Sequence, residues 1–183
     1  MNIIITILLI IAGITLLLLI IALFTKKKYY VQREIIINAP LQKVFGYIKQ
    51  LKNWDNFNKW AMADPDMKRE FKGTDGTVGF IYAWNGNKKA GEGEKEIRAI
   101  VEGKSFGWEI RFVRPFTAIG YTNMSTESKS ENQTKVTMSN TSKIKFPLNI
   151  MVPMVEKMLP KDMDTSLATL KNVLEKQSQQ NKL

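Results

Sequence analysis

Chemistry in this 183-residue chain has to be done by carboxylates, amines, guanidinium groups, hydroxyls and aromatic rings, because it contains no cysteine and no histidine. That excludes a disulfide framework, a thiolate nucleophile, histidine-ligated zinc and a serine–histidine triad. Three sets of residues stand out by type and spacing. Glu92, Glu94 and Glu96 alternate with Gly93 and Lys95, which places three carboxylates on one strand face. Such a row can serve a metal or acid–base site, but it is also the ordinary make-up of a solvated sheet face paired with neighbouring lysines, which is the reading preferred here. Glu109, Arg111 and Arg114 form the best available catalytic constellation, a carboxylate–arginine pairing, although a regular strand turns Glu109 and Arg111 away from the face that carries Trp108. The third set is apolar: Trp54, Trp60, Phe80, Tyr82, Trp84, Trp108, Phe112 and Phe116, with Met138, Met154 and Met158 as partners. Most of these read as core, and Tyr82, Trp84, Trp108 and Met158 are the ones expected to face a ligand cavity. The run from Gly86 to Gly93 is not a phosphate loop, since no Lys-Ser/Thr follows it and a strand comes next. Asp64 and Asp66 flank Pro65 and read as turn chemistry.

The elements that must position these residues follow from periodicity. Val31–Ile37 is a β-branched strand ending at Asn38, Ala39 and Pro40, where Asn38 can cap a helix and Pro40 can open its first turn. Leu41, Val44, Phe45, Ile48 and Leu51 recur at helical spacing, and Trp54, Phe57 and Trp60 mark a second short helix or turn. Turn signals then separate strands expected at Lys68–Lys72, Val78–Trp84, Gly91–Val101, Ser105–Val113, Thr117–Glu127 and Lys135–Ile144, an antiparallel meander. Val78, Phe80, Tyr82 and Trp84 share one strand face, as do Phe106, Trp108, Ile110 and Phe112. A long helix from Leu148 to Gln177 closes the chain, with Pro153 and Pro160 predicting an irregular start or a kink.

The N-terminal segment is of another kind. From Met1 to Thr25 no side chain is charged, and Asn2 to Phe24 as a helix would reach about 34 Å, enough for a hydrocarbon core of about 30 Å. A cleaved signal peptide fits less well, because no basic stretch precedes the apolar run and no small-x-small site precedes Lys26. Lys26, Lys27 and Lys28 follow directly, so the positive-inside rule puts the C-terminal domain in the cytoplasm, with these lysines beside anionic lipid headgroups. Tyr29 and Tyr30 are either interface anchors or the start of the first strand. The net charge of +10 suits an anionic membrane or nucleic acid. Without a recognised motif or a basic aromatic stretch, no specific nucleic-acid partner is expected. The organisation read from the chain is therefore an anchor at 1–25, a basic and aromatic linker at 26–30, one domain at 31–177 and a flexible tail at 178–183.

The order strand, two short helices, six strands and long final helix resembles the START-like (SRPBCC) superfamily in its polyketide cyclase/dehydrase branch. The residues that carry the resemblance are Ile35 to Pro40 with Val44 and Phe45, then Trp54 and Trp60 before Asp64 and Pro65. They continue with Gly79, Tyr82, Trp84 to Asn87, Gly91 to Glu94, Arg114 to Phe116, Met163, Asp164, Leu167, Leu170 and Lys171. The segment from Asp55 to Ala61 lacks the proline that often stands beside the second tryptophan in that branch. The resemblance implies an α+β helix-grip fold, a curved antiparallel sheet around the C-terminal helix with a deep apolar cavity between them. It implies a hydrophobic small molecule or lipid as ligand; no metal and no cofactor is expected. A cyclase- or dehydratase-like enzyme is the first alternative and a protein-interaction module using the basic face the second.

Overall fold

The computed structural model describes residues 2–180. Helix α1 spans Ile3–Phe24, is capped by the Asn2 side chain, and is exposed along almost its whole surface. It is the one described helix long and apolar enough to cross a membrane. Its C-terminal carbonyls, which a free helix end leaves without partners, are taken up by the body of the protein. Asn149 Nδ2 donates to Ala22 O at 2.6 Å and to Thr25 O at 2.7 Å, and Lys26 pairs with Glu156 at 2.7 Å.

Strand β1 (Lys28–Ile37) starts within the expected linker, so Tyr29 and Tyr30 are strand residues. Helix α2 (Leu41–Ile48) buries Val44, Phe45 and Ile48; a 3-10 turn at Leu51–Asn56 and the short α3 (Lys59–Met62) follow. The expected cap at Asn38 is not made. Pro40 occupies the N-cap position, and Asn38 instead binds Glu175 through its backbone N–H at 2.7 Å and Gln133 through its side chain. Strands β2 (Lys68–Lys72), β3 (Ile81–Asn85), β4 (Glu92–Val101), β5 (Ser105–Arg114), β6 (Ala118–Ser130) and β7 (Gln133–Lys143) complete the sheet. The order is β1-β7-β6-β5-β4-β3-β2, antiparallel at every step.

β3 begins later than its alternation predicts. Gly79 adopts a φ of 87°, which turns the chain and leaves Val78 in solvent, while the Gly79 N–H donates to the Ile97 carbonyl and the Ile97 N–H to the Phe80 carbonyl, keeping Phe80 beside β4. A 3-10 turn at Leu148–Met151 leads into α4 (Val152–Gln180), which matches the irregular start expected from Pro153; the helix continues through Pro160. It extends past Gln177, and 181–183, the end of the expected tail, lie outside the described residues. Met163, Leu167, Leu170 and Leu174 form its buried stripe, in the same core cluster as Ile37, Phe45, Ile48, Phe106, Met124 and Val136. Arg33 with Asp164 and Lys171 with the Ile36 carbonyl tie α4 to β1.

Candidate functional site

The alternation of strand residues divides the sheet into two chemically distinct faces. On the outer face the carboxylates of Glu92, Glu94, Glu96 and Glu109 meet arginines rather than the expected lysines. Arg111 contacts Glu94 at 2.6 Å, Glu96 at 2.8 Å and Glu109; Arg98 bridges Glu96 and Glu109; Arg114 holds Glu92 at 2.7 Å and Asn85. The hydrogen bonds from Arg111 and Arg98 hold Glu109 below the usual carboxylate range, and those from the three carboxylates push Arg111 up. Each of these carboxylates is thus paired with at least one arginine. Glu109, Arg111 and Arg114 are brought together in one ion-pair network, on the side away from Trp108. A shallow hollow of about 230 Å³ lies on this face, beside Arg98, Gly107, Tyr121, Asn123, Ser139 and Thr141.

The inner face is built in rows set by register. One row runs Ile97, Trp108, Thr122, Asn140, Val31, and the next runs Tyr82, Lys95, Ile110, Gly120, Ser142, Tyr29. A third runs Trp84, Gly93, Phe112, Ala118. At the Phe106–Trp108 end the space over the sheet is filled. Trp54, held by its 3-10 turn, packs edge-on against Trp108 at 4.7 Å, and Phe106 stacks on Trp108 at 5.1 Å. The turn itself is fixed from a distance, since Asp75 accepts from the backbone of Leu51 at 2.8 Å and of Lys52 at 3.1 Å.

Towards the other end the inner face is less densely covered. Tyr29, Ile110, Phe112 and Leu159 are only half-buried, and a Cβ at Gly120 would meet no side chain within 4 Å. The contrast with Gly93 is instructive, because a Cβ there would lie 2.8 Å from the Trp84 ring and 2.5 Å from the Arg111 carbonyl. Gly93 is therefore needed so that Trp84 can lie flat on β4 and meet Phe112 edge-on at 5.9 Å.

The aromatic end of the inner face holds a charged group. Lys95 is 8% exposed, and its Nζ stands over three rings, 4.3 Å from the centroid of Tyr82, 5.1 Å from Trp54 and 5.6 Å from Trp84. No hydrogen bond or ion pair reaches it among the described residues. Burial pulls its pKa from 10.5 to about 8, against the opposing attraction of Asp55. Tyr82 OH donates to Asp55 Oδ1 at 2.5 Å, and burial together with that bond pushes the phenol up. Arg69 Nε lies 2.8 Å from Asp55 Oδ2, an ion pair without hydrogen-bond alignment. The indole N–H groups of Trp54 and Trp108 are buried and without acceptors, whereas Trp84 donates to the Ala90 carbonyl. Across the row, Tyr29 OH donates to Asn140 at 2.9 Å, Asn140 donates to Thr122 at 2.7 Å, and burial raises the Tyr29 pKa to about 12.

Of the residues expected to line a cavity, Trp54, Phe80, Tyr82, Trp84 and Trp108 are brought together in the buried aromatic cluster, with Phe112 at its open edge. Met138 lies buried on the inner face of β7, and Phe116 is half-buried in the β5–β6 connection. Trp60, Met154 and Met158 are 39%, 52% and 42% exposed, more than an enclosed lining leaves. Lys95, Asp55 and Arg69 were missed by sequence reasoning. The signal for Lys95 was present: the alternation that puts three glutamates on one face puts Gly93 and Lys95 on the other, with Trp84 and Trp108. The glycine-rich segment is a turn in which Asn87 accepts from Lys89 and Ala90 while Asp64 accepts from the Asn87 backbone. Among the described residues no group of three carboxylates is placed to hold a metal ion.

A family model described as polyketide cyclase / dehydrase and lipid transport matches residues 30–175. No curated protein matches the chain. Several solved structures share the fold. Truncated norcoclaurine synthase from Thalictrum flavum has a TM-score of 0.63 at 11% identity, covering 82% of this chain and 95% of that one. A hypothetical protein of Helicobacter pylori gives 0.62 at 11% identity, with 81% and 88% covered. Ara h 8.0201 gives 0.56 at 15% identity, with 80% and 97% covered.

Proposed function

We propose that this chain, which belongs to the polyketide cyclase/dehydrase and lipid transport family, binds a hydrophobic small molecule or lipid on the inner face of its sheet, while α1 anchors it in a membrane with the domain on the cytoplasmic side. The observation that carries the binding reading is the thin cover over the inner face at this end, where Ile110, Phe112 and Leu159 are half-buried and a Cβ on buried Gly120 would meet no side chain within 4 Å, with aromatic rings at the other end; we read this as a ligand groove. Apolar walls with a few inward polar groups are what a small apolar ligand needs. Anchoring is supported by the length and exposure of α1 and by Lys26, Lys27 and Lys28 directly after it. A tether of this kind keeps the groove close to a ligand that partitions into lipid. Norcoclaurine synthase, which shares the fold, has been solved with dopamine and hydroxybenzaldehyde. The amine of Lys95, buried and with a lowered pKa, favours catalysis as a second reading.

The test uses the full chain in phosphatidylcholine vesicles and the neutral apolar probe N-phenylnaphthylamine, read by emission sensitised from the protein's tryptophans. Saturable binding is expected, and Gly120→Leu, whose Cβ meets only the Thr141 carbonyl at 3.8 Å and whose branched end occupies the space beyond, should abolish it. Binding that survives Gly120→Leu contradicts the groove. Alkaline carbonate extraction should leave the chain in the membrane pellet, and release into the supernatant contradicts anchoring by α1.

A further inference from the structure

The domain holds the last turn of α1 directly. Asn149 Nδ2 donates to Ala22 O at 2.6 Å and to Thr25 O at 2.7 Å, the Ile144 N–H donates to Lys27 O at 2.8 Å, and Lys26 pairs with Glu156. The 22 residues of α1 reach about 33 Å at a rise of about 1.5 Å each, against a hydrocarbon core of about 30 Å. A span of that length leaves Ala22 at the edge of the hydrocarbon, so the side chain bonded to its carbonyl, and the chain around it, lie at the level of the headgroups. What the domain presents there suits the position. Phe146, Leu148, Met154 and Met158 are between 42% and 52% exposed. Met154, Lys157, Met158 and Lys161 stand at i, i+3, i+4 and i+7 on one exposed face of α4. From Lys143 to Lys161 the chain has four lysines and one acidic residue, Glu156, which Lys26 already engages. Lys28 and Lys143 face each other across β1 and β7, like charges that repel unless negative charge is near. The far end of the sheet differs, because its lysines are matched: Lys49 with Glu102, Lys129 with Glu127 and Lys135 with Glu34.

Building on the proposed anchoring by α1, we infer that the folded domain makes a second contact of its own with an anionic lipid leaflet. Its footprint is the 3-10 turn before α4 and the first turns of that helix: the four exposed apolar side chains enter the headgroup layer, and Lys145, Lys157 and Lys161 meet lipid phosphates and carboxylates. Exposed apolar side chains rimmed by cations, with their one carboxylate already paired, fit a negatively charged bilayer surface. Helix α1 then sets the depth of the domain and the footprint sets its orientation, so that it does not tumble on its tether. The row through Gly120, Ser142 and Tyr29 ends beside Lys28 and Lys143, so the docked domain turns the thinly covered end of its inner face towards the lipid. An apolar molecule leaving the bilayer reaches that face without crossing bulk water.

The chain has no cysteine, so a single introduced cysteine carries a nitrobenzoxadiazole label at one known place. Leu148→Cys and Met154→Cys probe the footprint, and Val101→Cys, at the far end of β4, is the reference; all three positions are exposed, so the label disturbs no packed core. The full chain is placed in vesicles of phosphatidylcholine and phosphatidylserine, with and without a lipid that carries a quenching nitroxide near its headgroup. The labels at 148 and 154 should emit further to the blue than the label at 101 and lose most of their intensity to the nitroxide, while the reference keeps its own. Reversing the rim charges together, Lys145→Glu with Lys157→Glu and Lys161→Glu, should restore most of the emission at 154 in these vesicles and change nothing in pure phosphatidylcholine. Labels at 148 and 154 that are quenched no more than at 101, in a chain that alkaline carbonate leaves in the pellet, overturn the footprint and leave the anchor standing. A blue shift that the lipid nitroxide does not quench marks a second copy or another protein on this surface and overturns it as well. Quenching at 154 that survives the charge reversal overturns the assignment to an anionic leaflet. Release of the chain by carbonate overturns the anchoring itself, and the inference with it.

Discussion

Replacing Lys95 by methionine should stabilise the ligand-free protein at neutral pH. The side chain is buried among Tyr82, Trp54 and Trp84, and its pKa falls from 10.5 to about 8. Each tenfold loss of proton affinity corresponds to about 1.4 kcal/mol, so holding the charged form in the folded state costs about 3 kcal/mol relative to a neutral group. The sign follows from linkage. Between pH 8 and 10.5 the unfolded chain binds the proton and the folded chain does not, so stability rises with pH across that window. The penalty is complete below pH 8 and gone above 10.5. Methionine has a comparable unbranched stem and no charge, so Lys95→Met should gain roughly 3 kcal/mol at pH 7 and much less at pH 10.5. For a domain of this size that is a rise in Tm of roughly 5 to 10 °C. The assay is urea unfolding of the full chain in mild detergent, followed by tryptophan fluorescence at both pH values. A variant that is less stable than the wild type at pH 7 refutes the reasoning, because it means that attraction to the three rings outweighs the loss of hydration. A gain that does not shrink with pH means that the charge is not its source.

The outer-face network predicts the opposite division of effects. Arg111→Met strips Glu94, Glu96 and Glu109 of their shared partner and should cost about 1 kcal/mol, the pairs being partly solvated, while probe binding in the groove stays unchanged; Glu109→Gln should likewise leave probe binding intact. Loss of binding in either variant would return these residues to candidacy as site groups. Asp75→Ala removes the acceptor for two backbone N–H groups of the turn that carries Trp54, and urea unfolding should show a loss of about 1 kcal/mol. Asn149→Leu deletes the donor that satisfies the Ala22 and Thr25 carbonyls, so hydrogen exchange at the end of α1 and the start of α4 should quicken while the centre of β5 stays protected. Unchanged exchange there would mean that α1 is held by its covalent link and Lys26 alone.

The fold was legible because its signals are local and repeated. The alternation of Phe106, Trp108, Ile110 and Phe112 survives intact in β5, and the three- and four-residue steps of Met163, Leu167, Leu170 and Leu174 become the buried stripe of α4. What sequence could not supply depends on neighbours far along the chain. Asn38 reads as a helix cap by type, yet Glu175 and Gln133 claim it from 137 and 95 residues away. Val78 belongs to the same alternation as Phe80 and Tyr82, but a left-handed Gly79 removes it from the strand. The candidate site suffered most. Aromatic residues advertise a pocket by type, whereas a lysine in a row of glutamates reads as surface; only the pairing of β4 with β3 and β5, and the arrival of Trp54, make Lys95 a buried cation. Trp60, Met154 and Met158 fit an apolar pattern but have too little packed over them to be enclosed.

The central claim, that the groove over Gly120 holds an apolar ligand, is tested most directly by native mass spectrometry of the full chain taken from membranes in mild detergent, with the released molecules then identified after denaturation. A single apolar species, retained one to one by the wild type and absent from Gly120→Leu, is the predicted result. Wild-type protein that carries no such species, or the same species retained by Gly120→Leu, contradicts it.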